Sequence, residues 1–234
     1  MDKKGSRFSG KRILVTGASN GIGKGIAEGL VSEGANVINF DLKKVDMPGV
    51  TTIQVDLTDW DATRKCLKDI GSVDMLVNNA GIAHPPADFV DTEKAILDKV
   101  LATDLMAPFN IGQYVAKDMI DRGKVLPAFC TASQYSPYYI AKAGMQMMTK
   151  CMALELGPHN IRVNTINPGI VIDTGIGQEH WSDERKAAGP KSRTPLGRFT
   201  TVKEVVGAVL YLLSDDSSMT TGSALIIDGG YLCS

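Results

Sequence analysis

The sequence has few of the residues that mark secreted, metal-binding or membrane proteins. Its 234 residues include four cysteines, none in a CxxC pair, and three histidines without ligand-like spacing, so we expect neither a disulfide framework nor a metal site. The first 11 residues are polar and basic and contain no apolar core of signal-peptide length. No apolar run approaches the roughly 18 residues that span a bilayer. We therefore expect a cytoplasmic protein with no membrane partner.

The sequence also contains no long run of like charges. Lysine and arginine number 25 against 26 acidic residues, which gives a net charge of -1. Because no basic cluster is present to follow a phosphate backbone, nucleic acid is not an expected partner. At 44% hydrophobic residues the chain can bury a sizeable core without staples, so we expect one domain over residues 1–234 that holds both cofactor and substrate.

Short apolar runs rich in Ile and Val alternate with stretches of helical period. The runs predict buried strands at residues 12–15, 37–40, 52–55, 75–77, 161–166 and 224–227. The periodic stretches predict helices at residues 22–32, 60–70, 94–122, 139–156 and 203–213. This alternation produces βαβ units, so the predicted fold class is α/β, with a parallel sheet covered by helices on both faces.

Two places interrupt the helical pattern. Pro108 lies inside the third helical stretch and predicts a kink or break near Ala107, because proline removes a backbone donor and clashes with the preceding turn. Between residues 173 and 197 both strand and helix signals fade. We expect a mobile flap there.

A glycine-rich segment, TGASNGIG at residues 16–23, follows the first strand and opens the first helix. Gly17 permits a tight turn, Gly21 lets the backbone approach a pyrophosphate, and Gly23 allows helix and strand to pack closely. The spacing GxxxGxG differs from the GxGxxG fingerprint, and such a turn can also be a plain strand-to-helix connection. We predict a cofactor cradle at the helix N-terminus, formed by Gly17, Ser19, Asn20, Gly21, Ile22 and Gly23.

The second strand ends in Asp41, 24 residues after Gly17, where a carboxylate can accept hydrogen bonds from the adenosine ribose. The same charge repels a 2'-phosphate, and Asn20 offers no positive charge to attract one. NAD is therefore predicted over NADP. Lys43 and Lys44 follow at once and offset part of that repulsion, so NADP stays possible.

Asp56 and Leu57 follow the third strand. They are placed to contact the adenine edge, and as an alternative Asp56 is suited to begin a turn. Both interpretations stay open at the level of sequence.

Further motifs extend the pattern beyond the glycine turn. Asn78-Asn79-Ala80-Gly81 follows the fourth strand, and Tyr138 precedes Lys142 with three residues between them at a helix start. With these motifs the sequence resembles the short-chain dehydrogenase/reductase family over nearly its whole length. C-terminal segments resemble most the L-xylulose (dicarbonyl) reductase branch, namely residues 152–159, 181–183, 195–199 and 219–223. That branch generally uses NADPH, from which Asp41 departs.

The resemblance implies a doubly wound, Rossmann-like sheet of about seven parallel strands, a nicotinamide cofactor and hydride transfer to or from a carbonyl or alcohol. It also implies a homotetramer, because relatives pack the helix at residues 139–156 in a subunit contact. It adds seven residues to the cofactor site: Asn79, Ala80, Gly81, Pro168, Gly169, Ile170 and Thr174. The family has its threonine one position earlier, where this chain has Asp173.

The catalytic roles follow from the residue types. Removing hydride from an alcohol carbon needs a base for the hydroxyl proton, and reduction needs the same group as an acid. Tyr138 can serve if its phenol, with an ordinary pKa near 10, ionises more easily, and Lys142 one turn on brings a positive charge to the same helix face. Lys142 can also hold the cofactor ribose. Ser133 would bond the substrate oxygen and stabilise the charge that develops on it.

Two residue patterns depart from the family. Relatives carry an asparagine in the helix after the NNAG segment, where it serves the proton relay, but this chain has Asp104. Relatives also separate the serine from the tyrosine by about a dozen residues, whereas Ser133 and Tyr138 are five apart. A loop this short leaves little wall for a substrate pocket.

The sequence therefore predicts an NAD-dependent oxidoreductase acting on a small-molecule substrate: a sugar alcohol, a ketose or a small dicarbonyl. A 3-oxoacyl thioester reductase is a second enzyme hypothesis, since the same motifs would serve it. A nucleotide-binding family member that has lost turnover is the hypothesis from another class, and Asp104 and the short loop are its support.

Overall fold

A seven-stranded sheet, all of whose strand pairs are parallel, forms the centre of the molecule. The computed structural model describes residues 6–82, 88–123, 127–131 and 136–233. The strand order is β3-β2-β1-β4-β5-β6-β7. The strands are β1 Arg12–Thr16, β2 Asn36–Asp41, β3 Val50–Gln54, β4 Met75–Asn78, β5 Pro127–Thr131, β6 Arg162–Pro168 and β7 Ala224–Ile227.

Eight α-helices in the described residues connect and cover the strands. They are α1 Gly21–Ser32, α2 Trp60–Ile70, α3 Lys94–Leu101, α4 Ala107–Asp121, α5 Ser136–Leu156, α6 Gly175–Trp181, α7 Glu184–Ser192 and α8 Val202–Leu213. Among the described residues, no helix is both long and apolar enough to cross a membrane.

The strand order reverses beside β1, and this reversal positions the site. The chain runs from β1 outward to β3, then returns to place β4 on the other side of β1. In open parallel sheets the crevice at such a reversal, outside the carboxyl ends of the strands, is where ligands bind. The glycine turn after β1 and the NNAG segment at the end of β4 meet there.

The predicted α/β fold is confirmed, and each predicted strand and helix has a counterpart within a few residues. One strand, β5, had no counterpart in the sequence analysis. It begins with Pro127 and carries no run of Ile or Val, yet it pairs with β4 and β6. Its place in the sheet comes from these neighbours on both sides, and Pro127 occupies the first residue, where a missing donor costs least.

The helical stretch at residues 94–122 is not broken at Pro108. A π-helical turn, Ala102–Met106, joins α3 to α4, and Pro108 falls in the first turn of α4. The helix is therefore irregular just before Ala107, in the π-helical turn that contains Asp104. Wide turns of this kind are frequent at functional sites.

The segment at residues 173–197 is more regular than expected. It folds into α6 and α7, two helices that the weak periodicity of this segment does not predict. Thr174 and Asp183 begin these helices, with side chains that accept hydrogen bonds from the backbone N–H of Gly177 and Arg185. Capping by these side chains supports helices that have little apolar periodicity.

Candidate active site

The glycine turn has the backbone geometry that its sequence predicts. Gly17 and Gly21 have φ angles of +70° and +53°, which side chains rarely adopt. A Cβ on Gly23 would lie 2.2 Å from the carbonyl oxygen of Gly17, so helix α1 packs directly on the end of β1. The turn therefore leaves backbone exposed at the N-terminus of α1, as a pyrophosphate site requires.

The NNAG segment is bonded to this turn. The hydroxyl of Thr16 accepts hydrogen bonds from the backbone N–H groups of Asn79 and Ala80 at 3.1 and 3.0 Å. The Asn79 amide donates to the carbonyl oxygens of Thr16 and Gly17 at 3.0 and 3.1 Å. Asn79, Ala80 and the glycine turn thus form one rigid unit across β1 and β4.

Asp41 lies at the end of β2 beside the same turn. One carboxylate oxygen accepts a hydrogen bond from the backbone N–H of Ser19 at 3.0 Å, and the other accepts one from the backbone N–H of Lys43 at 3.1 Å. Each oxygen keeps a second lone pair, so the carboxylate can also accept from ribose hydroxyls. The Ser19 hydroxyl bonds the carbonyl oxygen of Lys43 at 3.0 Å, which closes the loop around Asp41.

Sequence reasoning missed Asn39 as a residue that builds this site. It is fully buried within β2, and its side-chain oxygen accepts from the backbone N–H of Ala18 at 2.9 Å. Its amide nitrogen lies 3.3 Å from the hydroxyl of Ser19. A single polar residue within the apolar run of residues 37–40 was the available signal.

A cavity of about 450 Å³ opens beside the glycine turn. Asn20 begins helix α1 but makes no capping hydrogen bond with its side chain, which leaves that amide available to a ligand. The cavity is lined by Ser19, Asn20, Gly21, Lys24, Gly25, Glu28, Asp173, Thr174, Gly175 and Val202.

Thr174, which we expect to replace the family's threonine, and Asp173, which occupies that threonine's position, have different local partners. Thr174 lies against the glycine turn, its methyl carbon 3.8 Å from where a Cβ of Gly21 would be. Its hydroxyl donates to the carbonyl oxygen of Val171 at 3.0 Å. Asp173 instead accepts a hydrogen bond from the backbone N–H of Val202 at 2.8 Å, at the start of α8.

The Asp56-Leu57 pair adopts the turn that was one of its two interpretations. One carboxylate oxygen of Asp56 accepts from both the backbone N–H and the hydroxyl of Thr58, at 2.9 and 2.7 Å. Leu57 is buried in the core. The observed contacts of Asp56 are therefore those of a turn.

The Pro168-Gly169-Ile170 turn lies at the carboxyl end of β6. Gly169 donates its backbone N–H to Ile227 at 2.9 Å, and a Cβ on Gly169 would come within 3.0 Å of Asp228. The carbonyl oxygen of Ile170 accepts a hydrogen bond from the backbone N–H of Thr200 at 3.0 Å. These contacts fix the turn between β7 and the start of α8.

Helix α5 carries the predicted acid/base pair. The Lys142 ammonium lies 4.9 Å from the centre of the Tyr138 ring. Lys142 is buried, whereas Tyr138 is half-buried. One helical turn therefore brings a positive charge against the phenol, as the spacing predicts.

Asp104 joins this pair. Its side chain is fully buried, and one oxygen lies 3.2 Å from the Lys142 ammonium in an ion pair whose lysine is 8% exposed. The other oxygen accepts the backbone N–H of Ile82 at 3.0 Å. A Cβ on Gly81 would lie 3.0 Å from Asp104, so the NNAG segment closes over the carboxylate.

Ser133 lies outside the described residues, as do Tyr135 and His84. The described residues bring Tyr138, Lys142 and Asp104 together at one place, and Asp41 and the glycine turn at another.

Comparison with known sequences identifies the class of protein. The family profile described as enoyl-(acyl carrier protein) reductase matches residues 17–232. The chain belongs to this short-chain dehydrogenase/reductase family and is an oxidoreductase of that family.

Its relatives among characterised proteins include three reductases. L-Xylulose reductase of Bos taurus is 43% identical, and the match covers 97% of this chain and 98% of the relative. Carbonyl reductase [NADPH] 2 of Sus scrofa is 41% identical, with the same coverage of both chains. D-Erythrulose reductase of Gallus gallus is 39% identical, again over 97% and 98% of the two chains.

Solved structures agree on the fold. A candidate 2-deoxy-D-gluconate 3-dehydrogenase from Agrobacterium tumefaciens with bound NADP superposes with a TM-score of 0.90 at 29% identity, covering 99% of this chain and all of its own. A 4-hydroxyisoleucine dehydrogenase complexed with NADH gives 0.89 at 29% identity, covering 96% and 99%. Both forms of nicotinamide cofactor therefore occur among the structural neighbours.

Proposed function

We propose that this protein reversibly reduces a small ketose or dicarbonyl to the alcohol with NADH, or oxidises the alcohol with NAD. The observation that carries the proposal is the Tyr138–Lys142 contact of 4.9 Å on α5, in a chain that also has the glycine turn and Asp41. An acid/base group, a positive charge beside it and a dinucleotide cradle are the parts that this chemistry needs.

The cofactor and the three catalytic side chains have separate roles. Bound nicotinamide supplies or accepts the hydride. Tyr138 gives its phenolic proton to the substrate oxygen during reduction and takes it back during oxidation. Lys142 stabilises the tyrosinate and holds the cofactor ribose, and Ser133 donates to the substrate oxygen as negative charge develops there.

The cofactor cradle fits a dinucleotide. Glycines at 17, 21 and 23 leave room at the N-terminus of α1, where added side chains would meet the neighbouring backbone or strain the turn. Ser19, Asn20 and Ile22 complete that turn, with Asn79, Ala80 and Gly81 on its other side. The turn Pro168-Gly169-Ile170 and Thr174 serve the nicotinamide end. Asp56 and Leu57 serve the adenine end, where the carboxylate oxygen of Asp56 that does not bond Thr58 accepts from adenine.

Asp41 makes NAD the preferred cofactor. Its carboxylate is fixed beside Ser19, at the place where a 2'-phosphate of NADP would add two negative charges. The pig relative carries NADPH in its name, so this preference separates the chain from that relative. NADP binds more weakly in this proposal and is not excluded.

The substrate class rests on the relatives. L-Xylulose and D-erythrulose, named for two of them, are small ketoses, and a carbonyl reductase stands beside them. A 3-oxoacyl thioester is the competing substrate. It is included in the substrate panel because the family profile is described as enoyl-(acyl carrier protein) reductase.

We further propose a single dehydrogenase domain over residues 1–234 that assembles as a cytoplasmic homotetramer. Helix α5 supports the assembly. Ile140, Met147 and Leu154 recur every seven residues along it, with exposed fractions of 51, 58 and 81%, whereas Met145 is buried in the core. Size-exclusion chromatography with light scattering tests this: a mass near 100 kDa is expected from a 25.0 kDa chain, and a monomer would contradict it.

The experiment for the activity is a substrate panel followed at the NADH absorbance. For reduction, purified protein is mixed with NADH and one of four substrates: a pentulose, a tetrulose, a small dicarbonyl or a 3-oxoacyl thioester. For oxidation, it is mixed with NAD and a polyol. Turnover of ketoses or dicarbonyls with Michaelis constants at or below the millimolar range is expected. Turnover of the thioester alone, or binding of NADH without turnover of any substrate, would contradict the proposal.

A further inference from the structure

The buried ion pair between Asp104 and Lys142 changes the field that acts on Tyr138. An ammonium alone beside a phenol favours the tyrosinate. Here a carboxylate lies 3.2 Å from the ammonium, so the two opposite charges form a dipole whose field at a neighbouring group is weaker than that of the lysine alone. Solvent does little to screen the pair, because Asp104 is fully buried and Lys142 is 8% exposed.

The position of Asp104 is fixed by backbone. The π-helical turn at Ala102–Met106 carries it, and the Ile82 N–H holds its second oxygen at 3.0 Å. Gly81 packs against the carboxylate, which a Cβ at this position would approach to 3.0 Å. Asp104 therefore cannot easily turn away from Lys142, and its charge acts on the acid/base pair throughout the reaction.

Other charged groups on the helices near the pair are exposed to solvent or paired with a different residue. Lys94, Asp98 and Lys99 of α3 and Lys150 and Glu155 of α5 are exposed, so solvent screens them. Lys117 and Asp121 of α4 are exposed as well, and Asp118 of that helix pairs with Arg122.

We infer that Asp104 is a positioning residue that keeps Tyr138 protonated at neutral pH, and so adapts the site to donate a proton to a carbonyl. The inference rests on the proposed role of Tyr138. Carbonyl reduction needs the phenol and its rate is sustained through neutral pH, whereas alcohol oxidation needs the tyrosinate and its rate rises in the alkaline range. Asp104 does not touch the substrate and acts through Lys142.

The direct test is a titration that needs no turnover. Tyrosinate absorbance is recorded against pH for the protein with NAD bound, and the curve of Tyr138→Phe is subtracted to isolate Tyr138. The same pair of curves is recorded in the Asp104→Asn background. We expect the midpoint for Tyr138 to fall by about one pH unit in Asp104→Asn, since one neighbouring charge has been removed.

The kinetic test uses the same variant. In Asp104→Asn the alkaline limb of the oxidation rate moves to lower pH by the same amount as the titration, and the rate near neutral pH rises. Asp98→Asn is the matched control, because Asp98 pairs with Lys94 at i,i+4 on the exposed face of α3 and its loss leaves both curves unchanged. Asp104→Ser removes the same charge and replaces the asparagine variant if that variant does not fold.

The outcomes are separable. An unchanged Tyr138 midpoint in a folded, neutral variant at position 104 overturns the inference, as does a loss of rate with no shift along the pH axis, which would mark a structural role alone. If none of the panel substrates is turned over, the proposed function fails, while the titration still reports whether Asp104 controls the ionisation of Tyr138.

Discussion

The carboxylate of Asp41 accepts a hydrogen bond of 3.0 Å from the backbone N–H of Ser19, which ties the end of β2 to the glycine turn. Asp41, which we propose contacts the ribose, is therefore bonded to the turn that we propose holds the pyrophosphate. Asn39 reinforces this connection from inside the sheet, through its hydrogen bond from Ala18. Because Asn39 maintains the connection when Asp41 is replaced, a substitution at Asp41 should alter cofactor choice before it alters the fold.

Asp41→Ser should narrow the preference for NAD over NADP. In the proposed site the variant loses a negative charge beside the 2'-position, an effect of order 1–3 kcal/mol, or roughly five- to 150-fold in the ratio of kcat/KM values. The measurement is kcat/KM with each cofactor at fixed substrate. Asp46→Ser, an exposed carboxylate in the following loop, is the control with an unchanged ratio. Equal or better kcat/KM with NADP in the unmodified protein would contradict the proposed preference.

Tyr138→Phe should abolish turnover and leave NAD binding nearly unchanged. The substitution deletes the hydroxyl that we propose as the acid/base but no large contact with the cofactor, so kcat should fall at least about a hundredfold. Calorimetric titration with NAD checks the binding. Tyr139→Phe, at an exposed neighbour, is the matched control. Retention of more than about a tenth of the activity in Tyr138→Phe would assign the role elsewhere, with Tyr135 and Tyr139 next to be tested.

Glu204 should contribute a pH-dependent part of the stability. Its hydrogen bonds from Arg198, and then from the N–H and hydroxyl of Thr201, lower the pKa of Glu204 from 4.5 to about 2. A depressed pKa means that the stabilisation is complete above pH 4.5 and is lost as the pH falls towards 2. The carboxylate is 37% exposed, so salt should weaken the effect.

The measurement is thermal unfolding of Glu204→Gln against the unmodified protein over a range of pH. We expect a lower Tm for the variant at neutral pH and a difference that shrinks below pH 4.5. Glu179→Gln, at an exposed glutamate of α6, serves as the control. A difference that stays constant down to about pH 3 would show that these hydrogen bonds do not depend on the charge.

Arg162 should stabilise the end of α8. Its guanidinium donates to the carbonyl oxygens of Leu212 and Ser214, both at 3.0 Å, and of Thr220 at 3.1 Å, while burial lowers the pKa of Arg162 from its ordinary value. Arg162→Met removes the donors, and we expect a loss of about 1–3 kcal/mol in the free energy of unfolding.

Denaturant unfolding measures this loss. Arg162→Lys should recover only part of it, because one ammonium cannot reproduce the geometry of the guanidinium fork. Arg185→Met, at an exposed site in α7, should change the free energy little. If Arg162→Met is as stable as the unmodified protein, the three carbonyl groups must find other donors.

Much of the fold follows from sequence, because Ile and Val runs and the 3.6-residue period report burial directly. Strand β5 and helices α6 and α7 do not. β5 owes its conformation to the strands on either side, and α6 and α7 depend on capping by Thr174 and Asp183. Strand pairing and single side-chain hydrogen bonds do not produce a hydrophobic periodicity, so the sequence pattern does not predict these elements.

The site divides in the same way. Gly17, Asp41 and the Tyr138–Lys142 spacing are local patterns, and their positions follow from the elements they join. The burial of Asn39 and the ion pair of Asp104 with Lys142 depend on segments far apart in the chain. Sequence marked Asp104 as a departure from the family, but the π-helical turn that brings its carboxylate to the lysine came only with the structure.

Transfer of deuterium tests the central claim most directly. NADH deuterated on C4 of the nicotinamide is incubated with the protein and a ketose from the panel, and the alcohol product is analysed by mass spectrometry. Hydride transfer predicts one deuterium on the carbinol carbon when one face of the cofactor is labelled, and none when the other face is labelled. No alcohol with either cofactor, or alcohol without deuterium in both cases, would contradict the proposed reaction.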